Sequence, residues 1–426
     1  MNDDQPSLPQ GSIPGTSGFS GTSGAMGTSV TRADRPKRTW KLGQRAAQAA
    51  LVLLLCVGGF LSLFPLGRAL TRSALLLPAL LSASAPAPLV VAGDAVRFTR
   101  RTLPSAIGPV FLDIYEPTTS PPPIPGGREA IIDVPGAGDN RAVPQLVNLS
   151  QSLAREGIID VNVGTPTLFN YQVSARDGEA VVQAFQFMQH WPGVDPRRIG
   201  IISFSVGDLP AFEGAADARI RDEVAFLASL GGYVDVTTLL GTIARRSQDV
   251  NGQTQPWQPI ATDLYVLSQT VGGLLSPTDR QLFQQAFPLT AALAPPLSAP
   301  QQAQLSPDGM AYYHLLEGDQ PDSVDSNLAA LSPPLKALLT QLSPLSVLGQ
   351  IHAPIHLLQD RNDPSIPYTQ GLEFAAALER LHHPYDFAAY SIFSHVQVES
   401  NLGLQQLLGD GSKLLGVLTS LLLVGS

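Results

Sequence analysis

Between residues 95 and 233 the chain alternates β-rich runs with helical spacing, and that rhythm constrains its fold more than any other feature. Residues 96–102, 110–115, 130–134, 158–163, 198–204 and 224–230 read as strands. Residues 144–156, 174–191 and 211–218 read as helices, the second with Val181, Val182, Phe185 and Met188 along one side. Strand and helix in alternation imply an α/β fold with a mostly parallel central sheet and helices on both faces. Ligand chemistry in such sheets sits at the carboxyl ends of the strands. The rhythm breaks over 235–347, where Leu, Gln, Ser and Pro spell several short helices. It resumes with a strand at 354–358, a helix at 368–381 and a strand at 385–392. The expected core is therefore split, 95–234 and 348–426, around a helical cap insertion at 235–347. A surface decoration with no part in the site is the plainer alternative for the insertion.

The amino-terminal part follows other rules. Gly15-Thr16-Ser17-Gly18 recurs as Gly21-Thr22-Ser23-Gly24 in a stretch dominated by Gly, Ser, Thr and Pro. Such a segment buries too little apolar surface to offset its ordering entropy, so 1–45 is expected to be a disordered tail. It ends in a basic cluster: Arg32, Arg35, Lys37, Arg38, Lys41 and Arg45. Residues 46–66 carry no charge, and a helix of that length spans roughly 32 Å, about a bilayer's hydrocarbon core. Basic residues before it exceed the two that follow closely, Arg68 and Arg72, which orients the tail to the cytoplasm. The expectation is one transmembrane helix, a single-pass signal anchor in the cell membrane, with the rest of the chain on the non-cytoplasmic side. The alternatives are a cleaved signal peptide, with Ala83-Ser84-Ala85 as the cleavage site, and a buried core helix. Residues 67–94 read as a linker.

Composition narrows the chemistry. The first 45 residues hold six basic against three acidic side chains, so the whole negative balance of the chain, −9, lies beyond them. No basic excess is available to neutralise phosphates, which argues against a nucleic-acid partner. Cys56 is the single cysteine, so neither a disulfide framework nor a Cys-based zinc site is possible within the chain. No HExxH or dinucleotide and P-loop glycine motif is present, so no metal or cofactor is expected.

The run Ile199-Gly200-Ile201-Ile202-Ser203-Phe204-Ser205-Val206-Gly207 takes an apolar strand straight into a serine and then a helix. A sharp strand-to-helix turn crowds the positions two before and two after its apex, so both must be small. For Ser205 they are Ser203 and Gly207; for Ser203 one would be Ile201. Ser205 is the candidate nucleophile. A serine nucleophile needs a base, and the base an orienting carboxylate. Asp363 follows the 354–358 strand and His395 follows the next, both at carboxyl ends. Asp360 is the alternative acid.

Over residues 95–233 and 348–412 the sequence resembles the α/β-hydrolases, most of all their dienelactone-hydrolase and prolyl-oligopeptidase branch. Asp195-Pro196-Arg197-Arg198-Ile199-Gly200 leading to Ser205, the Pro135–Gly138 turn, Asp363 with Ile366-Pro367, and His395 carry the resemblance. It implies the α/β-hydrolase fold, a Ser205-Asp363-His395 triad, and an oxyanion hole from the backbone N–H groups of Val206 and Ala137. Three positions depart from the family's pattern: Ser203 replaces glycine, Pro135 replaces histidine, and Gln359-Asp360 replaces His-Gly. The expected activity is that of a membrane-anchored serine hydrolase cleaving an ester, thioester or amide through an acyl-enzyme. Its expected partners are a small-molecule or lipid-like acyl substrate and, through 46–66, the membrane. The competing readings are an inactive α/β-hydrolase scaffold serving as a binding module, and acyl transfer to an acceptor other than water.

Other residues have plainer expectations. His352 and His356 read as structural, and His382-His383 as a helix-end cap. His314 is a candidate for facing substrate. Asp133 is expected to meet the oxyanion turn or a buried backbone donor. Residues 414–424 read as a terminal helix on the body or on the membrane, too short to span.

Overall fold

Eight strands form one sheet in the order β1 (Val96–Leu103), β2 (Val110–Pro117), β4 (Ile159–Gly164), β3 (Arg128–Val134), β5 (Val194–Phe204), β6 (Leu227–Leu230), β9 (Ile355–Asp360) and β10 (Tyr385–Tyr390). A separate hairpin, β7 (Ser247–Val250) with β8 (Gln253–Pro256), lies in the insertion. β2 runs antiparallel to both β1 and β4; the pairs from β4 to β10 are all parallel. The computed structural model describes residues 37–80, 87–119, 127–290, 292–395, 397–398 and 403–424. The chain divides into two units, 1–57 and 58–426. The expected disorder of 1–36 and the cleavage site at 83–85 lie outside the described residues, whereas the last part of the expected tail is helical from Lys37.

The central strands are buried on both sides, and successive residues of each face different helices. Ile132, Ile201, Leu227 and Leu357 meet α6 (Gly178–Gln189), α7 (Asp208–Ala216) and α15 (Tyr368–Arg380) through Phe185, Phe212 and Phe374. Their neighbours Ile131, Ile202, Ala228 and Leu358 face a second layer, built from α2 (Pro65–Leu80), α4 (Pro144–Arg155) and α16 (Leu404–Val424). A mostly parallel sheet with helices on both faces fits the α/β-hydrolase fold. The insertion forms its own apolar cluster from α8 (Val236–Arg245), α9 (Ala261–Val271), α10 (Pro277–Ala286), α12 (Pro307–Glu317) and α14 (Pro333–Gln341), joined by shorter helical turns. Tyr312, Tyr313 and Phe283 are fully buried there, which gives it a core of its own.

Two expectations about the segment before the sheet need correction. The continuous helix over 46–66 is interrupted: α1 (Lys37–Leu63) ends and α2 begins at Pro65, which has no N–H to extend the ladder. No single helix among the described residues is long and apolar enough to cross a membrane; Ala47–Leu63 and Pro65–Leu80 pass that test only as a bent pair. The expected linker at 67–94 is largely helix. Ala69, Ser73, Leu76 and Ala79, at helical spacing, bury one face of α2 against the body. Asn148 Nδ2 donates to the Ala79 carbonyl at 3.1 Å, and Arg72 lies 3.6 Å from Glu129 and 3.7 Å from Glu156. The carboxyl-terminal helix is longer than expected and packs on α2 and β10.

Candidate active site

β5 delivers Ser205 to the carboxyl edge of the sheet, and α7 starts three residues later. Ser205 takes φ of +56°, in the left-handed region that costs a residue with a side chain about 1–2 kcal/mol. Close packing enforces the turn. A Cβ on Gly207 would lie 2.3 Å from the Val134 carbonyl oxygen, and one on Gly136 would lie 3.2 Å from the Ser205 Cβ. The Pro135–Gly138 turn thus passes directly beside the serine. Asn140 Nδ2 fixes that turn by donating to the carbonyls of Gly136 (2.9 Å) and Ala137 (3.0 Å). Ala137 and Val206, the expected oxyanion donors, both line the cavity onto which Ser205 opens.

The two loops after β9 and β10 bring the other candidates together. His395 Nδ1 lies 2.9 Å from Asp363 Oδ2 and 3.1 Å from Oδ1. Asp363 is buried, and its Oδ1 accepts from the N–H groups of Ser365 (2.8 Å) and Ile366 (2.9 Å). Asp360, the alternative acid, is committed elsewhere: its carboxylate accepts from the N–H of Asn362 (2.7 Å) and of Phe393 (2.8 Å). It holds the β9 and β10 loops to one another. Gly231, after β6, has φ of +60°, and a Cβ there would lie 3.2 Å from Asp363 Oδ2. His395 also has a left-handed φ, +60°, as does Tyr171, which lines the same cavity. Three of the six such non-glycine residues among those described therefore gather at one site, where strain of this kind points to function.

Electrostatics act on the base from two sides. Burial lowers the His395 pKa, but the charge and hydrogen bond of Asp363, and the charge of Asp263, outweigh it and leave the imidazole above its usual value. Asp263 comes from α9 in the insertion and lines the cavity. Burial pushes its carboxyl up to about 8, against the opposing pull of His395. Sequence reasoning missed Asp263, because nothing local tells which cap residue reaches the site. It also missed Trp257, whose Nε1 donates to the Asp363 carbonyl at 2.8 Å.

Two of the departures from the family's pattern, Ser203 and Gln359, have structural partners. Ser203 Oγ donates to Asp208 Oδ1 at 2.7 Å, and Ser229 Oγ donates to Asp208 Oδ2 at 2.6 Å. Asp208 is fully buried beneath the turn, and burial raises its carboxyl to about 7. A Cβ on Gly232 would sit 1.7 Å from that carboxylate, so the glycine makes its room. Ser203 followed by an acid five residues on was the readable signal. Gln359 Nε2 donates to the Ile366 carbonyl at 3.2 Å, bracing the acid loop from within.

The remaining candidates lie away from the site. His314 Nδ1 pairs with Asp319 Oδ1 at 2.8 Å and is not among the cavity's lining residues, so it does not face substrate there. His352 meets Asp222 and His383 meets the Ala353 carbonyl. Asp133 meets neither the oxyanion turn nor a backbone donor; it lies fully buried against Asp160, and desolvation with the Asp160 charge holds its pKa well above the usual range. The described residues contain no group of side chains able to hold a metal ion.

No protein-family model matches the sequence, and no curated protein matches it. Among solved structures, the chain is similar to a puromycin-hydrolyzing peptidase of Mycobacterium tuberculosis, at 17% identity and a TM-score of 0.44, covering 76% of this chain and 38% of that one. It is also similar to an acylaminoacyl peptidase (15%, TM-score 0.41, 71% and 38%) and a Porphyromonas gingivalis dipeptidyl peptidase 4 (12%, 0.43, 77% and 36%). The chain spans well under half the length of these structures.

Proposed function

We propose that the chain is a serine hydrolase that cleaves a carboxylic ester, thioester or amide through an acyl-enzyme on Ser205. One observation carries this reading. Ser205, held in a strained turn at the head of a helix, shares a cavity with a His395 whose Nδ1 faces a buried, backbone-pinned Asp363. In the proposed mechanism His395 Nε2 takes the Ser205 proton as Oγ attacks the substrate carbonyl. The backbone N–H groups of Val206 and Ala137 receive the oxyanion, helped by the amino-terminal dipole of α7. Asp363 keeps the Nδ1–H tautomer and stabilises the imidazolium. The imidazolium returns its proton to the leaving group, and a water molecule, deprotonated by the same imidazole, releases the acyl group. The test is hydrolysis of p-nitrophenyl butyrate by the full chain and by Ser205→Ala. The variant should lose several orders of magnitude in kcat. Equal rates in the two would remove Ser205 from the mechanism.

The same proposal attaches the chain to the cell membrane through the uncharged stretch 46–66, with the hydrolase on the non-cytoplasmic side. What supports it is the uncharged run after a basic cluster, with Leu51, Leu53, Leu54 and Leu55 each more than half exposed. Retention of the full chain in the membrane pellet after alkaline carbonate, with protease access only from outside, is the expected result. Release into the supernatant would overturn the anchor and leave the catalytic proposal standing.

A further inference from the structure

The cavity at Ser205 has a volume of about 430 Å³ and is walled by residues of two apolar clusters. On one side the insertion supplies Val236, Leu239, Ile243, Val266 and Leu267. On the other, the helix layer on the sheet supplies Leu80 of α2, Leu146 and Leu149 of α4 and Leu414 of α16, joined by Phe393 from the segment after β10. Phe204, Ser205 and Val206 are consecutive: Phe204 packs with the helix-layer cluster and Val206 with the cap cluster, and the nucleophile stands between.

We propose that this is a two-armed site for an ester whose acyl and alcohol parts are both apolar, the arm along α2, α4 and α16 taking an extended aliphatic chain. The inference rests on the hydrolase reading of Ser205 and names its substrate class. Two arguments carry it. An aliphatic chain asks nothing of the walls but contact, and each methylene removed from water contributes about fourfold in binding. A peptide laid along the same arms would bring an N–H and a C=O at every residue, and these walls offer few partners, so each unmet group would weaken binding. Ser205, His395, Asp263 and Ser365 line the cavity where the scissile group would lie, and apolar residues outnumber polar ones about two to one in the lining as a whole, Asn140, Gln145, Thr262 and Thr270 being among the other polar ones. The helix-layer arm also exists only because α2 and α16 fold onto the body: Leu80 and Leu414 are part of its wall.

The test uses the full chain in a detergent of fixed concentration, with p-nitrophenyl esters from acetyl to decanoyl, and aminoacyl p-nitroanilides beside them. kcat/KM should rise at least tenfold from acetyl to octanoyl, and the octanoyl ester should exceed every anilide. Leu146→Trp, at a half-buried position on the helix-layer arm, should lower the octanoyl-to-acetyl ratio tenfold or more. Leu267→Trp, on the cap arm, should change that ratio less and instead discriminate against bulky alcohol groups. A flat chain-length profile, or a preference for an anilide, would overturn the two-armed site while leaving the hydrolase reading intact. Absence of turnover on every substrate, from protein that is folded by circular dichroism, would sink both.

Discussion

The indole Nε1 of Trp257, carried by the insertion, donates to the main-chain oxygen of Asp363 over 2.8 Å. The cap is thereby bonded to the loop that orients the base, with Asp263 six residues further along facing the same imidazole. The proposed site thus draws on residues of the insertion as well as on the loops of the sheet.

Trp257→Phe tests that bond. It keeps the ring in its buried place and leaves the Asp363 carbonyl without its donor, at a cost of about 1–3 kcal/mol. Thermal unfolding should show the loss, and ester hydrolysis should fall through kcat more than KM, because the acid loop is loosened. Unchanged kinetics in a destabilised protein would make the bond purely structural.

The two candidate acids are separable. Asp363→Asn should cost about 10⁴-fold in kcat, as expected when the imidazole loses its orienting carboxylate. Asp360→Asn, which disturbs the N–H contacts of Asn362 and Phe393, should show chiefly as lost stability. The reverse pattern in the kinetics would exchange the two assignments.

The base sets the pH profile. His395 must be neutral to accept the Ser205 proton, and its pKa lies above the usual 6.5, so kcat/KM should fall as pH drops through a midpoint above 6.5. A full kcat/KM profile measures this; a limb centred below 6.5 would mean that Asp363 does not hold the imidazole in its charged form.

Asp208 makes a stability prediction whose sign is definite. Its folded carboxyl titrates near 7 because of burial, against 3.8 unexposed to that environment, so the folded state holds a proton the unfolded chain has lost. Its contribution is fully present below about pH 4 and is lost as pH rises to about 7. Against Asp208→Asn, the wild type should lose on the order of a few kcal/mol across that window, with no further relative change above it. Urea midpoints at several pH values measure this; a difference that is constant with pH would show Asp208 to be ionised throughout.

Much of this was legible because it is local. The strand–helix rhythm gave the sheet its elements, and Ser205, Asp363 and His395 each stand where an apolar strand ends. What escaped was long-range. Residues 67–80 read as part of a linker in a Leu- and Ala-rich stretch, since their partners on α4 and α16 lie far along the chain, Asn148 being 69 residues from Ala79. The uncharged run over 46–66 reads as one continuous helix, although a proline at 65 begins a helix as readily as it interrupts one. Asp133 looked like a partner for the oxyanion turn, but side-chain alternation along β3 turns it toward Asp160 instead. Asp263 carries no motif, and only the folding of the cap brings it to His395.

The central claim is that Ser205 is an activated nucleophile, and covalent capture tests it most directly. The full chain is treated with a fluorophosphonate and the adduct mapped by peptide mass spectrometry. The expected result is a single adduct on Ser205, abolished by Ser205→Ala and greatly slowed by His395→Ala. Folded wild-type protein that takes no adduct, or takes it on another residue, would contradict the account.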